Sequence, residues 1–348
     1  MSSSKFLANE NFSGVSHFFI IEFCPFFRIV VWILLTRYFW QSTFFGSLLL
    51  APSVAMSISQ SSERSDLLVL EIPDDCEAIA LCGGPYSNFA AVEAFLAETA
   101  GMAYRMCLGD MGGFGPLPNR TISMIREAGL ICLQGNYDDA VGNGLRDCGC
   151  GYSEERDRYF AQLSYDYTYA HTALEHREWM RSLPKLIELH WRDRKVLLCH
   201  GSPDQVNEFV WQSETGDTQI LDYLNRYGVD GICGTHSGIP WMRQVTPLEQ
   251  SEDQSEGFWL NVGVLGRPAN TGEQSVNYAL LRWPQGESMI QPQIESLDYD
   301  VAATASVMRE EGLPEEFVQS LETGIWTTCA AILPEAEREV MPRRAVVA

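Results

Sequence analysis

From residue 66 the chain alternates short apolar runs with amphipathic stretches. DLLVLEI and AIALCG are apolar runs of strand length. NFAAVEAFLAETAG carries apolar residues at helical spacing and stops at Gly101. AYRMCLGD reads as a buried strand, PLPNRTISMIREAG as a helix entered through proline and ended by glycine, and LICLQGN as another buried strand. Strands and helices alternating over short links predict an α/β fold. The apolar runs end in polar turns, GGPYSN, GDMGG and GNYDD. In open α/β sheets ligands bind at the carboxyl ends of the strands, which is where these turns fall.

Further along, residues 152–195 read as mainly helical, most clearly in EHREWMRSLPKLIEL. KVLLCHGSP and VDGICGTHSGIP are strands running into polar loops, and GFWLNVGVLGRP and NYALLRWP read as a strand pair. The tail, 298–348, reads as helix, a turn at Gly312-Leu313-Pro314, then helix. The expected organisation is an apolar segment over 1–60, a main domain over 64–297 and this helical tail.

The first segment changes character abruptly at Met56. HFFIIEFCPFFRIVVWILLTRYFW is apolar but interrupted by Glu22, Pro25 and Arg28, where a spanning helix wants about 20 mostly apolar residues. FFGSLLLAPSVA ends in a small-x-small pattern like a signal cleavage site. Three readings stand: a start at Met56 with 1–55 as upstream sequence, a signal, or an anchor.

The composition, 46% hydrophobic and 20% charged, is that of a globular chain. A net charge of −22 argues against a nucleic-acid surface, because that affinity comes from Lys and Arg at phosphates. A metal ion can still supply local positive charge to a phosphorylated ligand. The ten cysteines are scattered and several sit inside apolar runs, which favours a reducing compartment, the cytoplasm, over a disulfide framework. Cys148 and Cys150 form an isolated C-x-C, weak grounds for zinc and compatible with a structural loop.

Four polar residues follow buried strands: Asp110 in LGDMGG, Asn136 in GNYDD, His200 in CHGSP and His236 in GTHSGIP. Two imidazoles, a carboxylate and an amide oxygen make a mixed N/O set suited to a divalent first-row ion. Singly, each has an ordinary use in a loop or turn. Their order and shared strand-end position carry the argument.

These motifs, over about residues 76–285, resemble those of the calcineurin-like metallophosphoesterases: D-x-H, G-D, G-N-H-[DE], a lone His before G-x-P, and G-H-x-H. The resemblance implies a two-sheet α/β sandwich flanked by helices, and a site for two metals bridged by the Asp of G-D. It also implies which ligands are missing. D-x-H is here Gly84-Pro85-Tyr86, and the last His of G-H-x-H is Gly238. The first metal thus loses its non-bridging ligands, while the second keeps Asp110, Asn136, His200 and His236. One divalent ion, Mn, Fe, Zn or Ni, is expected, without a second site. The family's catalytic His is Tyr137, followed by Asp138. A phenol with a pKa of about 10 is poorly matched to proton transfer at neutral pH.

The expected function is metal-dependent hydrolysis of a phosphomonoester or phosphodiester, with a phosphorylated small molecule or phosphoprotein as partner. Tyr137, Asp138 and Arg267 are its candidate catalytic residues, and Tyr86, Asn88 and Arg267 its candidate phosphate binders. Arg267 suits that role because its planar fork meets two oxygens at once. Asn207, Glu208 and Trp211 could line a pocket or simply pack. The alternatives are an inactive relative that binds a phosphorylated ligand or a protein partner, and a redox or zinc protein using the cysteines. The sequence leaves the oligomeric state and the substrate open.

Overall fold

The computed structural model describes residues 58–59, 66–246 and 256–338. The segment 1–57, with its three readings, and the last ten residues of the tail lie outside them. In chain order the elements are β1 (Ile58–Ser59), β2 (Leu67–Ile72), β3 (Ala78–Cys82), α1 (Phe89–Glu98), β4 (Tyr104–Cys107), α2 (Pro118–Glu127), β5 (Ile131–Cys132), α3 (Asn136–Asn143), α4 (Glu155–His171) and α5 (Leu174–Arg181). Then come β6 (Leu186–Trp191), β7 (Arg194–Leu198), α6 (Asp217–Tyr227), β8 (Gly231–Gly234), β9 (Trp241–Val245), β10 (Gly257–Asn261), β11 (Val276–Arg282), β12 (Gln291–Leu297), α7 (Val301–Glu310), α8 (Glu315–Thr323) and α9 (Glu335–Arg338).

They form two sheets, one ordered β1-β2-β6-β7-β8-β10-β9 and the other β12-β11-β3-β4-β5. The period-two alternation of side chains builds the layers. Ile79 and Leu81 of β3, with Val196 and Leu198 of β7, enter the core between the sheets. Their neighbours point the other way: Ala80 and Cys82 meet the helices over one sheet, and Leu197 meets α6 residues Ile220 and Leu224 over the other. The architecture is therefore helices, sheet, sheet, helix, as expected from the motifs.

Two local expectations are corrected. Residues 186–191, LIELHW, are not the end of a helix but strand β6, pairing with β2 and β7. Pro184 separates them from α5, and the alternation of buried Ile187, Leu189 and Trp191 with more exposed residues is a strand signature. The second correction concerns GFWLN and NYALLR. They do not pair: β10 lies between β8 and β9, and β11 between β12 and β3 in the other sheet. All five β10 residues are buried, as suits an interior strand.

The tail forms the expected helix-turn-helix as α7 and α8, followed by the short α9, and buried Met308, Phe317, Val318 and Leu321 join the core over the β3–β4–β5 sheet. Among the described residues no helix is long and apolar enough to cross a membrane.

Candidate metal centre

Asp110, Asn136, His200 and His236 stand at the ends of β4, β5, β7 and β8. All four are buried. Ligand atoms of Asp110, His200 and His236 lie within 4.8 Å of one another. Asp110 Oδ2 is 3.2 Å from His200 Nε2, and His200 Nε2 is 3.1 Å from His236 Nδ1.

The surrounding backbone holds these atoms in place. His200 Nδ1 donates to the Leu108 carbonyl at 2.6 Å, which leaves Nε2 facing the cluster. Asp110 has a positive φ of 58°, and its Oδ1 accepts the Tyr137 N–H at 2.9 Å. Gly135 makes room for the carboxylate, since a Cβ there would meet Asp110 Oδ1 at 2.2 Å and the Asp110 nitrogen at 2.5 Å. Asn136 donates its amide N–H to the Cys148 carbonyl at 2.8 Å and to Cys150 Sγ at 3.2 Å. That orientation turns Oδ1 away from these partners.

Burial pushes the His236 imidazole down to about 3, with His200 adding repulsion. Burial also opposes charge on His200, but the Asp110 carboxylate and the Leu108 carbonyl outweigh it, and its pKa is raised. Two buried polar atoms of these four residues have no hydrogen-bond partner, Asn136 Oδ1 and His236 Nε2, and His236 turns its Nδ1 toward His200. Buried polar atoms are rarely left so. A neutral imidazole and an amide oxygen with free lone pairs, beside a carboxylate and a second imidazole, fit a divalent cation.

The other predicted site residues are placed differently. The Tyr137 hydroxyl pairs with Ser164 Oγ at 2.8 Å, and its ring packs against Phe114 and Tyr165. Asp138 accepts the N–H groups of Gly135, Asp110 and Met111 at 2.8, 2.7 and 3.1 Å, fastening the β4 turn to the β5 turn. Burial and the Asp110 charge push its carboxyl up to about 8. The two candidates for direct chemistry thus make hydrogen bonds within the framework of the site. Asn88 caps α1 through the Ala91 N–H and accepts the Thr304 hydroxyl of α7, so its carbonyl oxygen is also structural. The Tyr86 ring lies edge-on to Phe114 at 5.4 Å, and burial raises its hydroxyl. Arg267 stacks on Trp326 at 3.9 Å and donates to the Thr328 carbonyl. Of the pocket candidates, Asn207 donates to the Gly149 carbonyl, Glu208 accepts Ser202 and Tyr223 hydroxyls, and Trp211 stacks on Phe209.

Two positions where the family's motifs carry ligands, Gly84 and Gly238, are crowded by neighbouring side chains. Gly84 has φ +41°, and a Cβ there would meet Val264 at 2.5 Å and the Tyr86 ring at 2.9 Å. Gly238 has φ +73°, and a Cβ there would meet the Trp326 ring at 3.3 Å. Sequence reasoning missed Trp326, Phe209 and Asp157. Phe209 lies on His236 at 4.3 Å between ring centroids. Asp157 accepts the Cys329 and Ala331 N–H groups at 2.8 Å, pinning the segment that carries Trp326. No local pattern marks such contacts, which join residues 172 and 174 apart.

Cys148 and Cys150, read from the sequence as an isolated C-x-C of a structural loop with weak grounds for zinc, are joined as a disulfide. The seven other cysteines among the described residues are free.

No protein-family model matches the chain. An uncharacterized protein of Methanocaldococcus jannaschii is 25% identical over 254 residues, 71% of this chain and 98% of that one. A metallophosphoesterase from Sphaerobacter thermophilus has a TM-score of 0.54 at 23% identity, covering 72% of this chain and 100% of its own. A hypothetical protein from Pyrococcus horikoshii OT3 has a TM-score of 0.56 at 17% identity, covering 71% and 98%.

Proposed function

The chain has the calcineurin-like metallophosphoesterase fold, and from that premise we propose that it is a metal-dependent phosphoesterase working with one divalent ion. The reading rests on one observation. Ligand atoms of the buried Asp110, His200 and His236 lie within 4.8 Å of one another at the strand ends, and Asn136 Oδ1, between residues that contact Asp110, is buried and unpaired. Asp110, Asn136, His200 and His236 would hold the ion. When bound, it would supply Lewis acidity toward a phosphoryl oxygen and activate water near neutral pH.

The chain's own residues do the rest. The Leu108 carbonyl fixes the tautomer of His200. The Tyr137 N–H orients Asp110. Asp138 holds the Asp110 and Asn136 turns together. Phe209 covers one face of His236 and limits water there. The substrate class that fits is a phosphate ester, on a small molecule or a protein.

A second reading has its own support: an inactive relative that binds without turnover. The space matching the first metal's ligands holds Tyr86, Val264 and Trp326, and two-metal hydrolysis needs ions on both attacking and leaving oxygens.

Elemental analysis of the full chain separates the readings, with His200→Ala as control. The enzyme reading expects about one metal per chain, absent from the variant, and phosphatase or phosphodiesterase turnover that falls at least about 100-fold with it. Metal without turnover on any phosphate ester supports the binding protein. No metal, even after loading with Mn or Fe, removes the basis for the enzyme.

A further inference from the structure

The Cys148–Cys150 bridge spans a single residue, Gly149, and both of its cysteines are buried. The stabilisation a disulfide gives grows with the length of loop it closes, so a bridge this short adds little to the fold. What it touches is the candidate metal centre. The Asn136 amide N–H groups donate to the Cys148 carbonyl at 2.8 Å and to Cys150 Sγ at 3.2 Å. The other end of that amide, Oδ1, is buried and has no hydrogen-bond partner.

The state of the sulfur decides which end of the amide it suits. A disulfide sulfur carries no hydrogen and can only accept, so it holds Asn136 by the N–H end. A thiol also donates, and then suits Oδ1 as well. The loop is free to follow such a change. The Gly149 N–H bonds to its near neighbour Asp147, and its carbonyl accepts from Asn207, both at 2.8 Å. Gly149 and Gly151 are exposed, with φ of +64° and +83°, and a Cβ at Gly149 would meet nothing within 4 Å. Such glycines leave the backbone wide conformational choice once the bridge is open.

We propose that Cys148 and Cys150 form a reversible dithiol–disulfide site that sets how tightly Asn136 holds the metal, a regulation that rests on the one-ion reading above. The disulfide is the tight form. The co-reactant is a small dithiol. One of its thiolates attacks a sulfur of the bridge, breaking the S–S bond and forming a mixed disulfide. Its second thiol closes on the first and releases the protein sulfur. The bridge is thereby reduced, the dithiol becomes a cyclic disulfide, and its protons end on Cys148 and Cys150. The two cysteines are positioning residues, acting on the ion through Asn136.

The test uses the full metal-free chain, either oxidised or reduced with dithiothreitol, then desalted without oxygen so that no reagent binds the ion. Peptide mass spectrometry after alkylation should find Cys148 and Cys150 labelled only after reduction; labelling of both beforehand overturns the proposal. Mn(II), an ion poorly matched to thiolates, is then titrated. The expected Kd is about 10–100-fold weaker in the reduced chain, is restored when the bridge is re-formed, and is equally weak under both treatments in the Cys148→Ser/Cys150→Ser variant. Amide hydrogen exchange of the metal-free chain should rise over residues 146–152 on reduction. Equal Mn(II) affinity in both states overturns the proposal and leaves the one-ion reading standing. Tighter binding after reduction also overturns it, since a thiolate would then be a ligand. Binding of neither Mn nor Fe in either state overturns both. Should the double variant not fold, the wild-type cycle of reduction and re-oxidation decides alone.

Discussion

Tyr137 illustrates how a residue can hold a catalytic position in sequence and a structural one in space. Its hydroxyl is spent on Ser164, whose oxygen also accepts the Phe114 N–H at 2.7 Å. Tyr137→Phe is therefore expected to cost about 1 kcal/mol of stability, read by urea unfolding, and to change turnover less than about tenfold. A loss of 100-fold or more, the range of general acid catalysis, would return the residue to the chemistry. Gly238→His restores the family's last histidine in sequence. With φ at +73° and the Trp326 ring 3.3 Å from its Cβ, it should destabilise by about 1–3 kcal/mol. It should bring no second ion by elemental analysis.

At the scale of elements, the strand-end motifs were legible because each pairs an apolar run with a polar turn. The helices α1, α2, α7 and α8 were legible from their spacing and their Gly and Pro boundaries. What escaped depended on partners far along the chain. LIELHW shows both helical charge spacing and strand alternation, and only pairing with β2 and β7 decides. GFWLN and NYALLR are both strands, but their neighbours are set by the two-sheet topology and not by their own residues. Asp157 lies on α4 and acts on a segment beyond α8. Replacing it by Ala should free the buried Cys329 N–H and the partly buried Ala331 N–H, for a loss of about 1–3 kcal/mol. Hydrogen exchange should rise at Cys329 and Ala331 first. Uniform exchange along the chain would mean that the segment is held by other contacts.

Across the whole molecule, the tail is part of the core. Met308, Leu313, Phe317, Val318, Leu321 and Trp326 are all buried. A buried side chain of this size contributes roughly 1.5–3 kcal/mol, so six together rival the whole stability of an ordinary domain, about 5–15 kcal/mol. A chain ending at residue 298 is expected to lose its cooperative thermal transition; retention of that transition would show the tail to be an accessory. The same packing ties positions 84 and 238 to distant parts of the chain, so neither can take a larger side chain alone. An aspartate at 84 meets Val264 and Tyr86, and a histidine at 238 meets a tryptophan delivered by the far end of the chain. Each side chain of the family's pattern, introduced alone, is penalised before any benefit of a second ion can be felt. A two-ion site would require several simultaneous replacements and the displacement of a docked segment, so no single change converts this architecture.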